Sequence, residues 1–285
     1  MRLATCVYEG RQRLARADGD TLILLPVAFG ASLRALLADD RLTELRDADG
    51  EVVTPDQVRF LPPIPDADKI LCIGVNYRGH LTETGTPIPT HPSIFVRFSS
   101  SQVGHDAAVW APATSEQFDY EGELAVVIGR RAWRVSEDTA LSYVAGYSCF
   151  AENSVRDFQN HAKQATAGKN FRHSGAFGPW LTTADEIPDP AALTLVSRLN
   201  GEEVQRASVS NLIFGIPALI AYISTFTELL PGDVISTGTP DGVGLFRTPP
   251  RWLCAGDVFE VEIDRVGLLR HGVIDEPAAT PEVAA

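Results

Sequence analysis

Basic residues are scarce in this sequence: 24 Lys and Arg stand against 37 Asp and Glu, giving a formal charge of −13, and no stretch gathers the basic ones together. A nucleic-acid or anionic-membrane partner would need such a cluster, so neither is expected. Cysteine is scarce too. Cys6, Cys72, Cys149 and Cys254 stand far apart, with no C-x-x-C pair and no histidine at zinc-finger spacing, which predicts four reduced thiols in a cytosolic protein. No run approaches the roughly 18 uninterrupted apolar residues of a membrane span, and the opening MRLATCVYEG has no continuous apolar signal core; the expected location is the cytoplasm. Common catalytic signatures are missing as well. There is no H-E-x-x-H and no G-x-S-x-G, His91, His105, His161, His173 and His271 form no cluster, and STGTPDGVG (236–244) lacks the G-K-[ST] ending of a phosphate loop.

What is present is a chain of 285 residues, 45% hydrophobic, long enough to bury a full core as one large domain or a large one plus a small one. Its first residues read as strands and turns: Leu3 to Tyr8, the turn Glu9-Gly10, a run to Ala17, then Asp18-Gly19-Asp20 before Thr21 to Leu25. A small sheet is expected there. Residues 31–46 carry leucines near helical spacing, and the Pro-rich LPPIPDADK (61–69) breaks that pattern, so we place a small N-terminal domain at 1–65 and the main domain at 66–285. Beyond the break, apolar runs at 70–75, 94–98, 124–128, 143–150, 193–199, 233–237 and 258–263 predict a strand-rich, mixed α+β body. Helical stretches are expected near 153–162 and 213–228, with Pro217 tolerable only in a first turn, and the tail EPAATPEVAA is expected to be loose.

The chemistry lies in the carboxylates. In FDYEGELAVVIG, Glu121 and Glu123 are two apart on a predicted strand, which turns both to one face while Leu124, Val126 and Ile128 turn to the other. Two like charges buried on one side are costly, and a hard cation between them removes the penalty. In so acidic a chain the pair also suits a solvated strand face. After the apolar SYVAGYSCF comes Glu152, followed by Arg156, Asp157 and Gln159. As a third carboxylate at the end of a buried strand, Glu152 would complete an all-oxygen site for Mg²⁺, Mn²⁺ or Ca²⁺; as the first residue of a helix it would merely suit the macrodipole.

Taken together, KILCIGVNYRGHLTE (69–83), FDYEGELAVVIGRR (118–131), GYSCFAENSVRDFQ (146–159), GKNF (168–171), GAFGPWLTTADEI (175–187), RLNGEEVQ (198–205) and PGDVISTGTPDGVG (231–244) resemble the fumarylacetoacetate hydrolase superfamily. The likeness looks closest to its 2-hydroxyhepta-2,4-diene-1,7-dioate isomerase and 5-oxopent-3-ene-1,2,5-tricarboxylate decarboxylase branch. It implies the family's β-sandwich roll with a small N-terminal domain, a homodimer, metal ligands at Glu121, Glu123 and Glu152, and a catalytic dyad at His80 and Glu83 in a mobile loop. It further implies substrate contacts at Arg156, Gln159, Lys169 and Thr239. One departure stands out: the family's third ligand is commonly Asp in an N-D pair, where this chain has Ala151-Glu152.

Within that frame, one helical turn would set His80 beside Glu83, letting the carboxylate orient a general base, and TETGTPIPTHP (82–92) suits a lid. Lys169 suits an oxyanion or carboxylate partner, and Arg156 a bidentate fork; the alternatives are solvation for the lysine and an ion pair with Asp157 or another acid for the arginine. The expected reaction is metal-dependent hydrolysis of a carbon-carbon bond in a small 2,4-dioxo, acylpyruvate-type acid through an enolate. A decarboxylase or isomerase of a related dienedioate would use the same stabilisation, and a non-catalytic or biosynthetic member with an altered metal site is the remaining alternative.

Overall fold

The computed structural model describes residues 1–278; the end of the tail expected to be loose lies outside the described residues. Three sheets form among the described residues, of twelve, five and two strands. At the centre of the largest runs Gly122–Ile128, paired antiparallel with Val144–Ala151 on one side and Val234–Ser236 on the other. Every residue of this strand is buried. Its period of two explains how: Leu124, Val126 and Ile128 join Tyr147, Cys149, Leu195, Phe259 and Leu269 in one core, while Ala125 and Val127 join Phe150, Phe177, Leu33 and Leu36 in a second.

The first core lies between the large sheet and the five-stranded one, which is ordered Glu202–Ser208, Thr194–Leu199, Val258–Ile263, Gly267–Asp275, Val109–Ala111. The second core is covered by the helix Leu33–Ala38 and the turn Leu42–Leu45. The protein is thus a strand-rich α+β sandwich, with Leu33–Ala38 on the second core and Ile216–Phe226 packed into the first. The opening strands Arg2–Tyr8, Arg11–Asp18 and Thr21–Leu24 do not form a sheet of their own; Arg2 pairs with Thr182 and Leu3 with Leu181, so they extend the large sheet.

The apolar runs expected as strands are strands, within a residue or two at most ends. The stretch 213–228 forms the helix Ile216–Phe226 with Pro217 in its first turn. The expected helix at 153–162 is cut back to Arg156–Gln159, because Ser154–Val155 pairs with Phe118–Asp119 instead. Among the described residues no helix is long and apolar enough to cross a membrane.

Candidate functional site

Three carboxylates converge where the central strands begin and end. Glu121 directly precedes Gly122–Ile128, Glu123 lies within it, and Glu152 directly follows Val144–Ala151. The Glu152 N–H donates to the Glu121 carbonyl at 2.8 Å, tying the two strand ends together. One oxygen from each of the three side chains lies within 4.8 Å of the others, and all three residues are buried.

Each is held differently. Lys169, at the end of the short helix Thr166–Lys169 and itself buried, donates from Nζ to Glu121 Oε2 at 2.9 Å and to Glu152 Oε2 at 2.7 Å. Arg156 donates from Nε to Asp119 Oδ2 at 2.8 Å and from Nη1 to Gln159 Oε1 at 2.9 Å, while its Nη2 lies 2.6 Å from Glu121 Oε1. Glu123 is bonded, among the described residues, by neutral donors only: Ser236 Oγ at 2.6 Å and the Gly238 N–H at 2.8 Å. Gly238 sits at φ 103°, and a Cβ there would meet Asn76 Cβ at 2.8 Å and the Ile73 carbonyl at 3.0 Å, so glycine alone lets this N–H approach.

Electrostatics follow from these contacts. Burial alone would raise Glu121, but Arg156 and Lys169 outweigh it and hold this carboxyl well below the usual range. Glu123, with burial first and the charges of Glu152 and Glu121 next, is pushed well above it. Burial also raises Glu152, partly offset by Lys169. Lys169 is raised: burial opposes its charge, and Glu121 with Glu152 more than restores it. Formally, Asp119, Glu121, Glu123 and Glu152 face Arg97, Arg156 and Lys169, one negative charge in excess and centred on the least compensated carboxylate. A hard divalent cation fits this donor set: the ligands are all oxygen, the cluster is short of positive charge, and among the described residues Glu123 has no cationic partner.

Over the carboxylates stands His80, in the helix Arg78–Thr84. Its Nδ1 is 2.8 Å from Glu83 Oε2, and the Gly242 N–H donates to Glu83 Oε1 at 3.0 Å. An ionised carboxylate only accepts, so Nδ1 carries the proton and Nε2 is the basic nitrogen. The segment expected as a loop carries a helical turn that brings the dyad together. The chain enters it through Val75, a β-branched residue at φ 50°, so backbone strain sits at the site itself.

Eight of the nine residues singled out from the sequence, His80, Glu121, Glu123, Glu152, Arg156, Gln159, Lys169 and Thr239, line one cavity of about 60 Å³, with Glu83 bonded behind His80. Thr239 lies at the cavity with its hydroxyl already engaged, donating to the Gly122 carbonyl at 3.1 Å and accepting from Gln205 Nε2 at 2.8 Å. Arg156 pairs with Asp119 and Glu121 rather than Asp157, which accepts from Ser115 Oγ. Sequence reasoning missed Asp119, Ser236, Gln205 and Arg97. Arg97 and Asp119 each end a strand and read there as ordinary charged strand ends, and Ser236 and Gln205 left no signal either.

Residues 69–274 match the family described as fumarylacetoacetate (FAA) hydrolase C-terminal. The mitochondrial oxaloacetate tautomerase fahd2 of Xenopus laevis is 41% identical over 230 residues, 80% of this chain and 72% of that protein. Among solved structures, the fumarylacetoacetate hydrolase of Exiguobacterium antarcticum superposes with a TM-score of 0.88 at 31% identity, covering 97% of this chain and 100% of the other. The 2-hydroxyhepta-2,4-diene-1,7-dioate isomerase of Mycobacterium marinum does so at 0.78 and 30%, covering 97% and 99%. Maleylpyruvate hydrolase from Sphingobium sp. SYK-6, in complex with manganese(II) and pyruvate, does so at 0.80 and 27%, covering 97% and 100%.

Proposed function

The chain belongs to the fumarylacetoacetate hydrolase family, and from that membership and the geometry of its site we propose a divalent-metal-dependent enzyme that moves a proton beside the carbonyl of a small 2-oxo acid, acting as a keto-enol tautomerase of a short 2-oxo dicarboxylate. The carrying observation is the His80–Glu83 pair, closed at 2.8 Å, on the same small cavity as the three buried carboxylates. Magnesium or manganese, or calcium, held by Glu121, Glu123 and Glu152 would supply Lewis-acid stabilisation of negative charge on the substrate oxygens.

This chain's own groups do the rest. In the enol-to-keto direction His80 Nε2 takes the proton of the enol O–H as the carbonyl forms and delivers it to the neighbouring carbon, and the keto-to-enol direction runs the same transfers in reverse, while Glu83 fixes the ring and stabilises the imidazolium. Lys169 and Arg156 bring positive charge to the substrate's carboxylate and enolate oxygens, and Gln159 and Thr239 border its distal end. The 41% identical tautomerase supports proton transfer as the whole reaction. Carbon-carbon hydrolysis of an acylpyruvate is the second reading, favoured by the maleylpyruvate hydrolase likeness; there His80 would activate water instead. We further propose a homodimer, as the family resemblance implies.

The test follows the ultraviolet absorbance of enol-oxaloacetate with chelator-stripped protein, before and after adding Mg²⁺ or Mn²⁺, beside an assay of pyruvate release from a simple acylpyruvate. Metal-restored decay of the enol without pyruvate release supports the tautomerase. Pyruvate release without enol decay overturns it in favour of the hydrolase.

A further inference from the structure

We infer that Arg97 is a positioning residue that fixes the orientation of Glu152 and thereby makes the site discriminate between small and large divalent cations. The inference rests on reading the carboxylate cluster as a cation site.

Arg97 closes the strand Ser93–Arg97, where Ile70 is its partner across the ladder. Its side chain has no exposed surface. The guanidinium is engaged along its whole fork: Nε donates to Ser101 Oγ at 3.2 Å, Nη2 to Ser174 Oγ at 2.7 Å, and Nη1 to the Asn153 carbonyl at 3.0 Å and Glu152 Oε1 at 3.3 Å. Ser101, Asn153 and Ser174 are themselves fully buried. A planar fork held at three other points cannot follow a moving carboxylate; it dictates where that carboxylate sits. Arg97 does not border the cavity, so it acts through Glu152 and not on substrate.

The consequence lies in how Glu152 is gripped. Arg97 takes Oε1 while Lys169 takes Oε2 at 2.7 Å, so the carboxylate is clamped from both sides. Calcium accepts six to eight oxygens in a flexible shell and commonly takes carboxylates bidentately, whereas magnesium demands a compact, near-octahedral one. A carboxylate that cannot rotate its second oxygen inward withholds the mode the larger ion uses. Outer partners of this kind typically change metal affinity 10- to 100-fold when lost.

The experiment is calorimetric titration of chelator-stripped protein with Mg²⁺ and with Ca²⁺, for the wild type, Arg97→Lys and Ser174→Ala. Lysine keeps the charge and loses the fork; Ser174→Ala keeps the arginine and frees one of its anchors. The expected result is an Mg²⁺ preference in the wild type that falls about tenfold in Arg97→Lys and by less, in the same direction, in Ser174→Ala. An unchanged ratio in both variants, including an equal shift of both affinities, overturns the inference, since charge alone would then be Arg97's contribution. Should Arg97→Lys fail to fold by circular dichroism, the Ser174→Ala ratio decides alone. A wild type that binds neither cation sinks the metal reading itself, an outcome visible before any variant is made.

Discussion

His80 and Glu83 stand one helical turn apart with Nδ1 and Oε2 separated by 2.8 Å, and the other oxygen of Glu83 is fixed by the Gly242 N–H. The carboxylate therefore sets both the tautomer and the angle of the ring. Glu83→Gln is isosteric and presents a neutral amide to Nδ1, so the imidazolium loses its stabiliser. Turnover is expected to fall by about 100-fold or more, with cation affinity unchanged by calorimetry. Equal turnover in the variant would dismiss the dyad.

Glu123 is buried among like charges and, among the described residues, bonded only by Ser236 and Gly238. Glu123→Gln removes the excess charge, so the chelator-stripped variant should melt about 2–4 °C above the wild type for each kcal/mol gained. The same variant should gain little or nothing from added Mg²⁺ or Mn²⁺, which are expected to stabilise the wild type by binding the native state. Differential scanning fluorimetry with and without metal measures both.

Gly238→Ala tests the close approach that brings an N–H to Glu123. The added Cβ faces Asn76 Cβ at 2.8 Å from a backbone at φ 103°, and a cost of about 1–3 kcal/mol is expected in urea unfolding. Cation affinity should fall in parallel. A variant as stable as the wild type would show that the loop can shift without consequence.

Burial pushes the His271 imidazole down from 6.5 to about 4. The folded protein keeps it neutral, while an unfolded chain takes up a proton near 6.5, so stability falls as pH drops through that window. Between pH 7 and pH 5 the loss from this residue is about 2 kcal/mol. His271→Phe should show a correspondingly smaller pH dependence of the urea midpoint; an unchanged dependence would exclude His271 as its source.

The parts of the site legible in the sequence are those written in local spacing. Glu121 and Glu123 share a face because strands alternate, Glu152 follows an apolar strand directly, and His80 meets Glu83 because three residues make a helical turn. What escaped depends on distant chain. Arg97 reads as an ordinary strand end until Ser174 and Glu152 are brought to it. Gly175–Thr183, a strand of the central sheet, contains Pro179, which argues against a central strand; the ladder with Val144–Ala151 is irregular there, pairing Tyr147 with Thr182 and then Cys149 with Gly178. The opening strands were readable as strands, but their seat beside Thr182 has no local signature.

The donors to Glu123 come from Ser236 and Gly238, 113 and 115 residues further along the chain, and Glu83 is fixed by Gly242, 159 residues on. During synthesis the carboxylates thus emerge from the ribosome well before the segment that orders them. A nascent chain carries the acidic residues of the site but not the site, and the proposed cation binding and proton transfer would both become available only when the segment carrying Ser236 to Gly242 has been translated and has docked.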